Sequence, residues 1–281
     1  MSDLIPPSPV RPWRASVVAA LAAVLFLAAA PATARAQLTI DQLELQLDPG
    51  SVDRKVGVFS ITNEGTEAVQ VALHAEDWDR AESGENRFFP LGSQAHSCGE
   101  KLSIFPLSMR LEPGAVGQVR VSAAGLAGST DACWQIVFAE TARPPRPAGA
   151  QRAILYVVRT GVKVYVESAG LQKDGAIEDV ALARHLLPNG QAAVPAARDL
   201  VVAFRNTGGS SLRTTGRVEF RRADNSVAAV ATIAEFPTLP GARRNVAVAL
   251  PTLAAGKYTA LAMLDFGGSE IAAGQIDVDI P

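Results

Sequence analysis

From residue 38 to the end of the chain, apolar and polar residues alternate in short runs, and helix-period patterning is almost absent. Runs of this kind bury their apolar faces by stacking sheets, so the pattern predicts an all-β protein. LTIDQLELQL (38–47) opens the series and closes at Asp48-Pro49-Gly50. KVGVFSIT (55–62) runs into Asn63-Glu64-Gly65, and AVQVALHAEDW (68–78) ends in a charged stretch, 79–87, rich in turn formers. KLSIFP, SMRLEPG and GQVRVSAAG supply short strands between 101 and 125, and CWQIVFAE (133–140) follows. The prolines of TARPPRPAGAQR (141–152) exclude it from a sheet interior. DLVVAFRN, SLRTTGRVEFRR, VAAVATIAEF, NVAVAL, KYTALAMLDF and IAAGQIDVDI give further strands in the second half.

The two halves echo one another. VGVFSITNEGTEAVQV (56–71) and LVVAFRNTGGSSLRTT (200–215) both read strand, Asn, small turn residues, strand. Alternation at this spacing predicts two β-sandwiches of immunoglobulin type, one over 37–166 and one over 167–281, divided where Glu167-Ser168-Ala169-Gly170 interrupts the pattern.

The segment 1–36 reads as a cleaved secretory signal. Arg11 and Arg14 precede the apolar ASVVAALAAVLFLAAA, and small residues at Ala34 and Ala36 predict cleavage before Gln37. The mature chain is then exported and soluble, with no membrane insertion. Export places Cys98 and Cys133, the only cysteines, in an oxidising compartment, where a lone pair forms a disulfide. His96 beside Cys98 offers a metal set as the rival, but one His and two Cys at this spacing is a weak signal. A net charge of −2 gives no reason to expect nucleic acid as a partner. No GxSxG elbow, P-loop or HExxH occurs. Asp77 and Asp79 alternate but lack EF-hand spacing, and a solvated hairpin loop is the reading preferred for them. The expectation is a protein that is not an enzyme and needs no cofactor or metal.

The stretch AILYVVRTGVKVYV (153–166) stands out. Its first half is apolar on both faces: Ile154, Tyr156 and Val158 point one way, Leu155 and Val157 the other. Two readings fit the pattern alone. The strand is central and covered on both sides by its own protein, or it lies at an edge and offers an apolar row to another chain. An open edge also allows self-association.

Several motifs in order resemble the PapD-like periplasmic chaperones of the chaperone–usher pilus pathway. These are ITNEG (61–65), FPLSMRLEPG (105–114) followed by VRV (119–121), DACWQIVF (131–138) and GVKVYV (161–166), with FPTLPGARRNVAVALP and GKYTALAMLDFG in the second half. The resemblance implies a periplasmic protein that lends strand 153–166 to a pilin-like subunit lacking one strand and delivers it to an outer-membrane usher. It implies that Ile154, Tyr156 and Val158 fill the subunit's groove, contributing roughly 5–8 kcal/mol before ordering costs, with Leu155 and Val157 turned to the chaperone's own core. It implies that Lys163 grips the subunit's C-terminal carboxylate. Where the family pairs that lysine with a first-strand arginine, this chain has Leu45, and Arg159 is a candidate for the role. Glu167-Ser168 replaces the usual Arg-Pro, and Cys133 replaces an acidic residue. These departures suggest a divergent, archaic-type member. The alternative is a two-domain Ig-like binding or structural protein of the cell envelope without chaperone activity.

Overall fold

The computed structural model describes residues 38–129, 131–141, 159–185, 191 and 198–281. The expected signal segment and the row Ile154, Tyr156, Val158 lie outside the described residues.

Ten strands build a first sandwich: β1 (Leu38–Ile40), β2 (Glu44–Leu47), β3 (Val56–Asn63), β4 (Val69–Arg80), β5 (Asn86–Phe89), β6 (Ser103–Phe105), β7 (Ser108–Leu111), β8 (Val116–Ser122), β9 (Cys133–Thr141) and β10 (Arg159–Val166). One sheet has the order β1-β3-β8-β6; the other runs β2-β10-β9-β4-β5, with β7 also on β4. Their inner faces share a core that includes Leu45, Leu47, Phe59, Ile61, Val71, Val119, Val137, Val162 and Val164. Seven strands build the second: β11 (Gly175–Arg184), β12 (Arg198–Asn206), β13 (Leu212–Arg221), β14 (Val227–Thr238), β15 (Arg243–Ala249), β16 (Gly256–Asp265) and β17 (Ala272–Ile280). They form the sheets β11-β12-β15 and β14-β13-β16-β17 around Leu200, Phe204, Phe220 and Leu264. The described fold is two immunoglobulin-like sandwiches.

One expected strand proves to be broken. LTIDQLELQL splits at Asp41–Leu43: β1 joins β3 and β2 joins β10, in opposite sheets. The Asp41 carboxylate accepts the Ser60 N–H at 2.8 Å, which fixes the crossing. The apolar parity slips by one there, from Leu38 and Ile40 to Leu45 and Leu47, because each half faces the core from a different sheet. The segment 103–111 switches sheets in the same way, β6 pairing with β8 and β7 with β4.

The echo between the halves is a repeated buried asparagine. Asn63 Nδ2 donates to Glu67 O and Leu111 O at 2.8 and 3.0 Å, and its Oδ1 accepts Gly65 N–H at 2.9 Å. Asn206 Nδ2 donates to Ser210 O and Thr238 O at 2.8 and 3.1 Å, and its Oδ1 accepts Gly208 N–H at 3.0 Å. The partner turns match too: Leu111-Glu112-Pro113-Gly114 and Thr238-Leu239-Pro240-Gly241 each end on a glycine at φ +73°. Each asparagine ties one sheet to the turn beneath the other.

Cys98 and Cys133 are joined, 5.1 Å apart at Cα, and the bond tethers the loop after β5 to the start of β9. The chain-entropy model gives a closure over 35 residues a stabilisation of about 3–4 kcal/mol. Replacing both cysteines by serine is expected to lower the melting temperature by roughly 10 °C, measured by calorimetry. His96 stacks on Trp134 at 4.6 Å between ring centroids. Asp77, expected in a solvated loop, is instead buried at 1% exposure, accepting from Ser97 Oγ at 2.5 Å and Gln94 N–H at 3.0 Å. β4 runs past it and hairpins with β5, so Asp77 holds the neighbouring loop while Asp79 pairs with Arg87 at 2.6 Å.

Candidate functional site

Strand β10 organises the site. Val162, Val164 and Val166 face the first core, so Arg159, Gly161, Lys163 and Tyr165 share the outer face of their sheet. The second sandwich covers the far end of that face, where Leu239 packs with Trp78, Trp134 and Tyr165. The contact is held by polar bonds. Glu167 accepts from Ser210 Oγ at 2.6 Å and Ser211 N–H at 2.7 Å, and Glu82 O accepts the Asn245 N–H at 2.9 Å.

Along its length β10 changes character at Lys163. On one side it pairs with β9 from Arg159 to Val166. On the other, β2 pairs with it in parallel only from Lys163 to Val166. The Lys163 N–H donates to Leu43 O at 2.8 Å. Strand alternation aims the N–H groups of Gly161 and Arg159 at the same side, where no strand lies beside them among the described residues. An open edge thus begins one residue before the lysine. Gly161 has no room for a side chain: a Cβ there would press into the Ile136 and Phe138 side chains that cover this face of the sheet.

Lys163 is half-buried, its Nζ 4.9 Å from the ring centroid of Trp78. Burial pushes its pKa below the ordinary lysine range; Arg80 and Arg213 push the same way, and Glu44 opposes them. Arg80 stands over the same indole at 5.7 Å. Trp78 and Arg80 share a face because they alternate on β4. Arg213 arrives from β13 of the second sandwich and forms ion pairs with Glu44, and with Glu235 at 2.9 Å. Glu44 is the register partner of Lys163 across β2 and β10, so both side chains stand on one face. Burial pushes the Tyr165 hydroxyl up to about 12, Glu44 acting in the same direction. Beside these groups lies a cleft of about 250 Å³ between the sandwiches, walled by Trp78, Arg80, Tyr165, Ser211 and Arg213.

Of the residues singled out from sequence, Lys163 stands near this cleft, its Nζ over the ring of Trp78, one of the cleft's walls. Arg159 lies four positions earlier on the same face, where Glu76 holds its guanidinium at 2.7 Å and the Phe138 ring at 4.1 Å. Leu45 is buried in the first core. The cations around Lys163 are Arg80 and Arg213, which sequence reasoning missed. The Trp78–Arg80 alternation was a usable signal for the first. Nothing local to β10 points to a residue of the second sandwich.

No protein-family model matches the chain, and no curated protein matches it in sequence. Solved structures do resemble it. A chain from the chaperone–tip adhesin complex of CFA/I fimbriae biogenesis superposes with a TM-score of 0.49 at 10% identity, over 87% of this chain and 100% of that one. The class 5 fimbriae chaperone CfaA gives 0.47 at 10% identity, over 87% and 99%. A chain of the CsuC–CsuE pre-assembly complex from archaic chaperone–usher Csu pili of Acinetobacter baumannii gives 0.39 at 12% identity, over 76% and 91%.

Proposed function

We propose that this protein is a periplasmic chaperone that lends β10 and the residues before it to an incomplete sandwich of a secreted pilin-like subunit, then passes the subunit to an outer-membrane usher. In this reading residues 1–36 are removed on export, and the mature chain consists of domains 37–166 and 167–281. The observation that carries the reading is the half-covered edge of β10, with an under-paired cation where cover ends. Unpaired backbone groups at an edge are a template for a foreign strand. A lysine at the end of that template suits a strand that terminates there in a carboxylate.

In the described strand the even-numbered valines face inward. Ile154, Tyr156 and Val158, which lie outside the described residues, remain the row proposed to enter the subunit's groove.

The reading is tested by co-expressing the protein with a secreted pilin-like subunit encoded beside it. The subunit is expected to accumulate in the periplasm only when the chaperone is present. Equal accumulation without it would leave the proposal untenable.

A further inference from the structure

Arg159 is the long charged side chain on the open length of β10, residues 159–161, where β2 no longer lies alongside. Edge strands are commonly guarded by such charges, because a foreign strand that pairs there must desolvate them or push them aside. This one is turned inward. Its register partner on β9 is Glu140, yet the ion pair it makes is with Glu76 on β4, Nη1 to Oε1 at 2.7 Å. On the way the guanidinium lies 4.1 Å from the ring centroid of Phe138, and that ring meets Phe88 edge to face at 5.2 Å. Gly161, the register partner of Phe138, puts no side chain beside the ring; a Cβ there would stand 2.9 Å from Phe138 Cε1. The receiving carboxylate is approached from a second side as well, since Glu76 Oε1 is 3.3 Å from His74 Nε2.

We propose that Glu76 and Phe138 hold the Arg159 guanidinium off the open edge, and that the same arginine, once released, guards that edge against an incoming strand. Two attractions act on the held charge: a charge-assisted bond to a part-buried carboxylate and the face of an aromatic ring. Without the carboxylate the cation is free to extend on its flexible stem toward water at the edge. A strand pairing with β10 must then bury or displace it, which is a repulsive element set against pairing. The hold governs the arrival of a strand and not the packing of the first core, because Arg159 stands on the outer face of its sheet. This role rests on the strand-lending reading of β10 and adds to it what keeps the edge receptive.

The held cation is read in the free protein by NMR. The Arg159 Nε–H signal is expected upfield, under the Phe138 ring, and is expected to return to the position of a solvated arginine in Glu76→Ala. The guard is read with the pilin-like subunit encoded beside the protein, co-expressed and followed in the periplasm. Glu76→Ala is expected to lower its accumulation roughly tenfold, and adding Arg159→Gln to Glu76→Ala to restore it to within about twofold of the parent. A sandwich merely damaged by Glu76→Ala is not repaired by a second substitution, so the recovery separates a guard from a folding defect. An Arg159 signal without the ring shift, parental accumulation in Glu76→Ala, or a double variant no better than Glu76→Ala overturns the inference. If the parent stabilises the subunit and the recovery is absent, the guard alone falls and the strand-lending reading stands; if the parent stabilises no subunit, that reading falls and the guard falls with it.

Discussion

Periplasmic accumulation of the subunit is expected to fall at least hundredfold when Tyr156 and Val158 are both replaced by aspartate, while the variant itself is exported and melts like the parent. The proposed row inserts three side chains into the subunit, and full burial of such groups is worth roughly 1.5–3 kcal/mol each. Losing two and forcing charges into an apolar groove removes upward of about 4 kcal/mol, close to a thousandfold in affinity. The stability of the free protein is expected to stay put because the proposed row enters the partner's groove and not the chaperone's own core. Immunoblots of periplasmic extracts and calorimetry of the purified variant measure the two quantities. Undiminished accumulation of the subunit would remove the inserted row from the mechanism. A large loss of melting temperature would mean that the row serves the protein's own core.

The second large effect concerns stability. Asn63→Ala and Asn206→Ala are each expected to cost about 3–5 kcal/mol, because each deletes three hydrogen bonds and strands buried carbonyl groups. Aspartate should be worse than alanine at both positions despite its matching shape. The amide nitrogen donates to two carbonyl oxygens, and a carboxylate oxygen in its place would face both with negative charge. Denaturant unfolding of the four variants provides the check. If aspartate is tolerated better than alanine at either site, the amide orientation described above is wrong.

These asparagines also show what the sequence makes legible. The echo of Asn with small residues after a strand was visible as a pattern, and its reason is the same three-bond staple built twice. Alternation likewise predicted the all-β class and most strands. It missed β11, where Glu178 and Asp179 and a bulge between Ile177 and Asp179 break the period. It also missed β5, whose four residues sit in a charged hairpin. It merged β1 with β2, although the one-residue parity slip marked the change of sheet. The cleft was half legible. Lys163 was singled out by resemblance, but the groups that set its environment come from β2, β4 and β13, which only the fold brings together. Asp77 misled because an acidic residue among charges reads as solvated, whereas the loop pinned by the Cys98–Cys133 bond supplies its donors.

Amide hydrogen exchange along β10 tests the open edge most directly. In the free protein the Gly161 N–H is expected to exchange at least ~10-fold faster than the Lys163 N–H, which is bonded to Leu43 O. On addition of a cognate subunit the Gly161 N–H is expected to become protected to the level of Lys163, with protection extending back towards Ala153. A Gly161 amide whose exchange is the same with and without a stably bound subunit would contradict the claim that this edge receives the partner's strand.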